Sequence, residues 1–283
     1  MNDRLKTIVD LNKYPIQNLN SPIIKKLIER CKKELDKDSC STIPNFILPK
    51  SLEIMNLELE KQLDEVYMSK EKINAYLYAK DDPTLSKDHP KRNFMDRYNG
   101  YLNSDCFQKN SEMKYLYETE ELLNFVSACL GVSPIYRWAD PLACHAYNVM
   151  KPSGTLPWHF DSCEFTLSLM IQKPENGGIF EYCPNIRGPG NENFDEVKKV
   201  LNGDRARVKQ LDLEPGDLQI FKGRFTLHRV TKIEGEKSRY MCIPAYVLDP
   251  WRVNTPEHSK AIYGKVLPIH ICLLYTSPSP RDS

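Results

Sequence analysis

The apolar pattern of this chain changes period near residue 133, and that change limits the folds open to it. Before it, apolar residues recur at helical spacing. Ser21-Pro22 reads as an N-cap followed by proline at the first helical position, ahead of IIKKLIERCKKEL. SLEIMNLELEKQLDEVYM and EMKYLYETEELLNFVSACLG read as two further helices, the second stopping at Gly131. Asp81 to Arg97, rich in Asp, Pro, Lys and His, reads as a loop. From Ser133 onward, aromatic and β-branched residues fall in short runs punctuated by Pro and Gly, within PIYRWADPLACHAYNVMKPSG, TLPWHFDSCEFTLSLMIQ, GGIFEYCPNI, RVKQLDLEPGDLQIFKG, RFTLHRVTKI and SRYMCIPAYVL. About seven or eight short strands, interrupted by one helix at NFDEVKKVLNG, predict an α+β chain that is mainly β, built on a sandwich or jelly-roll barrel. Pro244 in the last run predicts an edge or a bulge there.

We expect one domain over residues 1–271, mainly helical in 1–132 and β in 133–250. The final residues, 272–283, turn abruptly to Ser and Pro and read as a disordered tail. They also resemble translated adaptor read-through, so they are set apart from the fold. Lys and Arg exceed Asp and Glu by a single charge, which offers no electrostatic footprint for nucleic acid or an acidic membrane. No run of eighteen apolar residues marks a membrane span, and the first residues carry no signal-peptide pattern. The nine cysteines include no CxxC pair, which suits reduced thiols and a cytoplasmic setting.

Chemistry concentrates at WHFDS. Residues i and i+2 of a strand point to one side, so His159 and Asp161 can direct an imidazole and a carboxylate at one ion. His228, on a later predicted strand, supplies a third donor. Two histidines and one carboxylate leave positions open for exogenous ligands, as non-haem iron(II) oxygenases require. An HxD triplet alone is weak, because six histidines produce roughly 0.4 of them by chance. Arg239 strengthens it. It follows His228 by eleven residues across the turn IEGE, and a hairpin there would place it nearly opposite His228. A guanidinium beside a metal calls for an anion between them, and a dicarboxylate satisfies both.

At this point the chain resembles the 2-oxoglutarate/iron(II) oxygenase superfamily, and within it the branch of free-amino-acid halogenases and related hydroxylases. The stretches that carry the resemblance include DLNKYPIQNLNSPIIKKLIERC, IPNFILP, ADPLACHAYNVM, WHFDSCEFTLSLMIQ, GGIFEYCPNIR, LEPGDLQIFKGRFTLHRV and SRYMCIPAY, spanning most of residues 9 to 248. The resemblance implies a double-stranded β-helix of jelly-roll, cupin-like form with the N-terminal helices packed outside. It implies iron(II) held by His159, Asp161 and His228, with Arg239 gripping the distal carboxylate of 2-oxoglutarate. Asn148, eleven residues before His159, matches the position of a 2-oxoglutarate-binding Asn in some branches. Their NxY pattern is NVM here, with Met150 in place of Tyr.

The implied reaction uses O2 to hydroxylate an unactivated C–H bond of a small molecule, with release of succinate and CO2. A free amino acid or derivative is the substrate the branch implies. Arg97 or Arg137 would pair its carboxylate, and Asp140 or Glu164 its ammonium. The halogenases resembled carry Gly or Ala in place of the triad carboxylate, which leaves room for chloride. Asp161 fills that position here, so hydroxylation is expected. Hydroxylation of a protein residue keeps the same chemistry, and a non-catalytic β-barrel binding module is the alternative from another class. Finding a modified polypeptide would favour the first, and absence of 2-oxoglutarate turnover the second.

Overall fold

Pro22 has a φ already set for a helix, and Ser21 accepts a hydrogen bond from the Ile24 amide at 3.3 Å, so a long helix starts where the sequence expects it. The computed structural model describes residues 3–272. The helices are α1 (Leu5–Ile8), α2 (Pro22–Asp38), α3 (Pro49–Glu60), α4 (Glu112–Glu118), α5 (Glu120–Leu130), α6 (Phe194–Leu201), α7 (Pro256–Tyr263) and α8 (Pro268–Cys272). The strands are β1 (Cys40–Ile43), β2 (Tyr67–Ile73), β3 (Met95–Leu102), β4 (Tyr136–Arg137), β5 (His145–Met150), β6 (Leu156–His159) and β7 (Phe165–Gln172). They continue with β8 (Asn176–Gly177), β9 (Phe180–Cys183), β10 (Lys209–Leu211), β11 (Leu218–Phe221), β12 (Leu227–Val230), β13 (Ile233–Glu234) and β14 (Arg239–Val247).

Two antiparallel sheets make the double-stranded β-helix. The major one runs β1-β11-β7-β14-β5-β3-β2, with β4 paired to β14, and the minor one runs β10-β9-β12-β6. Period-2 alternation sorts the major sheet's side chains. Leu167, Leu169 and Ile171 of β7, Leu218 and Ile220 of β11, and Tyr240, Cys242 and Tyr246 of β14 enter the large core that also holds Leu35 of α2, Met55 of α3 and Phe125 of α5. The intervening residues, Thr166 and Ser168, Gln219 and Phe221, Arg239, Met241 and Ile243, line a cavity between the sheets. Helices thus cover one face of the major sheet and leave its other face to the site.

Several local expectations change. The helix expected over EMKYLYETEELLNFVSACLG is two helices, because Thr119 takes an extended backbone and its hydroxyl caps α5 at the Leu122 amide. The helix expected to reach Met68 ends at Glu60, and residues 67–73 form β2. Strand β3 begins inside the expected loop, at Met95. The sheet is therefore not confined to residues 133–250. Lys and Glu on the edge strand β2 hide its alternation, since edge strands are protected by charge. Gly100 permits the β2–β3 pairing, as a Cβ there would meet Met68 Sδ at 2.5 Å and the Tyr67 carbonyl at 2.9 Å.

Pro244 lies in an interior strand, opposite His145 of β5, and not at an edge. The β14–β7 ladder pairs Cys242 with Leu169 and Ala245 with Thr166 and skips the two residues between, so the missing amide interrupts an already open stretch. The expectation for the tail falls, apart from Cys272 at the end of α8, outside the described residues. Among the described residues no helix is long and apolar enough to cross a membrane.

Candidate metal centre

His159 ends β6 and His228 lies on β12, and the two face each other in register, with ring centroids 4.1 Å apart. The β6 strand stops at His159, so the i, i+2 geometry expected for Asp161 is completed by other bonds. The Phe160 amide donates to the Ala75 carbonyl at 2.9 Å and the Asp161 amide to the Gly223 carbonyl at 3.2 Å. These hold Asp161 beside the histidine pair.

Asp161 Oδ1 is 3.8 Å from His159 Nε2 and 3.3 Å from His228 Nε2. One donor atom from each of the three residues lies within 4.8 Å of the others. Donors at right angles on an ion with bonds of about 2.1 Å stand about 3 Å apart, so the spacing suits a shared ion. Each imidazole approaches a carbonyl through Nδ1, His159 to Pro157 at 2.8 Å and His228 to Thr226 at 2.9 Å. A carbonyl only accepts, so Nδ1 carries the proton and the Nε2 lone pair is left for a metal.

Burial, and then His228 beside it, push the His159 imidazole well down, toward the neutral form a metal needs. Burial works to raise the Asp161 carboxyl, but His228, His159 and the Thr166 hydroxyl outweigh it and hold it below its usual range. Thr166 in turn stands 3.2 Å from Cys163 Sγ. Burial and the nearby Asp161 charge raise that thiol to about 12, so it stays protonated. The donor set and its protonation fit a divalent ion such as iron(II).

Arg239 reaches the same cavity by a route other than the expected hairpin. Its strand, β14, pairs with β5 and β7 of the major sheet, whereas His228 sits in the minor sheet between β9 and β6. The IEGE segment crosses between sheets, and Ile233–Glu234 pairs with Asn176–Gly177 instead of with Arg239. Arg239 therefore faces the metal ligands across the barrel. It is 3 % exposed, its Nε has no hydrogen-bond partner, and no ion pair reaches it among the described residues. Burial lowers its guanidinium to about 10, still charged at neutral pH. Asn148 lines the same cavity from β5, with both amide atoms buried and unpartnered. A buried cation and a buried amide left open toward one space fit a dicarboxylate held between Arg239 and the ion.

Of the four residues considered for substrate, Arg97 alone lines the cavity. It is 2 % exposed, and Nε donates to Asn99 Oδ1 at 2.6 Å while Nη1 donates to Glu71 Oε1 at 3.2 Å. Arg137 is taken up by the carbonyls of Tyr117 and Glu118 and by Glu120, where it caps α4. Asp140 is fully buried and accepts from the amides of Leu142 and Asn254 and from Asn254 Nδ2, with His270 Nε2 3.3 Å away. Glu164 pairs with Arg224 and Arg252. Asp140 and Glu164 thus pin the C-terminal segment, and α7 in that segment contributes His258, Ile262 and Tyr263 to the cavity wall. Burial, with Arg97 next, pushes His258 down to about 4, so it is neutral there. Sequence reasoning missed His258, Thr166, Ser168 and Gln219. The last three occupy cavity-facing alternate positions of otherwise apolar strands, a signal that was present. Trp158, Phe160 and Tyr182 do not line the cavity. Trp158 and Phe160 pack with Val197 of α6, and Tyr182 with Phe180 and Phe221.

A family profile described as HalD: Halogenase D matches residues 24–251, about four-fifths of the chain. The non-heme alpha-ketoglutarate-dependent carbocyclase SnoK from nogalamycin biosynthesis superposes with a TM-score of 0.56 at 12% identity, over 79% of this chain and 85% of that one. AviO1 from Streptomyces viridochromogenes Tue57 gives 0.54 at 18%, over 81% and 97%. The epimerase SnoN, solved with Fe3+, alpha ketoglutarate and nogalamycin RO, gives 0.52 at 11%, over 79% and 84%. No curated protein sequence matches the chain. The chain belongs to the halogenase D family, and its fold is the double-stranded β-helix of the 2-oxoglutarate/iron(II) oxygenases.

Proposed function

We propose that this chain is an iron(II)- and 2-oxoglutarate-dependent hydroxylase of a small molecule, with a free amino acid or derivative as substrate and residues 1–271 as one catalytic domain. The observation that carries this reading is the convergence of an intact carboxylate, Asp161, with His159 and His228. Iron(II) with 2-oxoglutarate and O2 supplies the oxidation of an unactivated C–H bond, leaving succinate and CO2. The chain's residues supply position and charge. His159, Asp161 and His228 would hold the ion, Arg239 would pair with the far carboxylate of 2-oxoglutarate, and Asn148 would offer its unpartnered amide within the same cavity. Arg97 offers a buried cation for the substrate carboxylate, already braced by Asn99 and Glu71. Neutral His258 and the rings of Tyr101 and Tyr263, whose centroids lie 5.4 Å apart, line the cavity wall and would help position a substrate there.

Membership of a halogenase family does not decide the group transferred. Where a carboxylate is seated on the ion, its charge and bulk exclude a halide from that position. A metabolite pool incubated with the protein, iron(II), ascorbate, 2-oxoglutarate and O2 in excess chloride should yield a species heavier by one oxygen, together with succinate. A chlorinated product from the unmutated chain would refute the hydroxylase assignment.

A further inference from the structure

The two oxygens of Asp161 have different surroundings. Oδ1 is turned to both histidines, at 3.8 Å and 3.3 Å. Oδ2 accepts a hydrogen bond from the Thr166 hydroxyl at 3.0 Å. Gly223 closes the space on Oδ2. A Cβ there would stand 1.9 Å from Oδ2 and 2.5 Å from Cγ, and the Gly223 carbonyl accepts the Asp161 amide. Gly223 does not have a left-handed backbone, so what it supplies is room. Thr166 comes from β7, in the row that alternates with Leu167 and Leu169 of the outer core, so its hydroxyl is delivered by the register of the major sheet.

We propose that Thr166 and Gly223 form a built seat that fixes Asp161 as a one-oxygen ligand, which makes Thr166 a positioning residue for the metal centre. A carboxylate free to turn can take two positions of an octahedral ion. One whose second oxygen is held by a hydroxyl takes one. With the two histidines that leaves half the coordination sphere open, enough for a chelating keto acid and one further small ligand. Outer hydrogen bonds of this kind orient metal ligands and tune them. The inference rests on the metal-centre reading above, and its test is independent of substrate and of turnover.

The full-length metal-free protein is titrated with cobalt(II), and its visible absorption reports coordination number. Thr166→Val keeps the shape and removes the hydroxyl. It should weaken cobalt binding by roughly 10-fold or more and change the band pattern, and Thr166→Ser should restore both. Gly223→Ala should also weaken binding, by pushing the carboxylate out. In an Asp161→Gly background neither Thr166→Val nor Gly223→Ala should change affinity further, because both act through the carboxylate. Wild-type affinity and spectrum in both Thr166→Val and Gly223→Ala would overturn the seat. So would losses of the same size in the Asp161→Gly background. Cobalt binding that ignores His228→Ala would instead refute the metal centre itself, and the seat with it.

Discussion

Arg239 holds a full charge in a buried place, and among the described residues no ion pair reaches it, which is costly unless an anion arrives. Arg239→Ala should therefore weaken 2-oxoglutarate by roughly 2–4 kcal/mol, the cost of leaving a buried carboxylate unpaired. Metal affinity should change little, since Arg239 is not among the residues that converge on the ion. Titration of the metal-loaded protein with 2-oxoglutarate measures this, and an unchanged affinity would assign the anchoring role to another base. At this scale the sequence singled out His159, Asp161, His228 and Arg239, which the structure brings to one cavity, but not the route by which Arg239 arrives there. His159, Asp161 and His228 were legible because HxD and a distant histidine match a known coordination need. Arg239 was found through a hairpin that does not exist, since spacing along the chain cannot say which sheet a strand joins. The alternation of β7 marks Thr166 as cavity-facing, but its role, and that of Gly223, emerges only when the carboxylate's second oxygen is followed to its partner.

Among elements, the C-terminal segment shows how charged residues mislead. Asp140 and Glu164 read as candidates for a substrate ammonium because the amino acid that the resemblance implies needs an acidic partner. In the fold they meet partners 114 and 88 residues away, Asn254 and Arg252, and hold α7 against the cavity. No local pattern announces contacts at that separation. Asp140→Ala leaves the Leu142 and Asn254 amides buried without an acceptor, at a cost of about 2–4 kcal/mol. The loss should be local. Hydrogen exchange should quicken across 254–272 before it does in β7 or β14. Uniform acceleration throughout the chain would show that the segment is not a separate unit. The edge strands were missed for a related reason: the charged side chains that protect β2 from pairing also blur its alternation. The central strands, buried on both faces, kept their apolar and aromatic signature.

For the molecule as a whole, the turn from helical to strand periodicity near residue 133 identified the fold class, while the share of the sheet drawn from residues 40–102 stayed hidden. One consequence of that packing is a pH dependence. His145 of β5 is 3 % exposed, stacks on Tyr117 with centroids 5.4 Å apart, and has no partner for Nε2. Burial, with Lys114 next, lowers it from 6.5 to about 4. Below pH 6.5 the unfolded chain takes up a proton that the fold refuses, so stability is complete above 6.5 and declines toward pH 4. The full difference is about 3 kcal/mol. Urea unfolding of the metal-free protein at pH 7 and pH 5 should show the decline, and His145→Phe should reduce it. An equal slope in the variant would place the titration elsewhere. The most direct test of the central claim needs no substrate. Under anaerobic conditions, iron(II) and 2-oxoglutarate added to the protein should together develop a visible charge-transfer band that saturates at one equivalent of each. The band should be absent in His228→Ala and should require far more 2-oxoglutarate in Arg239→Ala. If the wild-type chain binds 2-oxoglutarate no better with iron(II) than without it, His159, Asp161 and His228 do not form the centre described here.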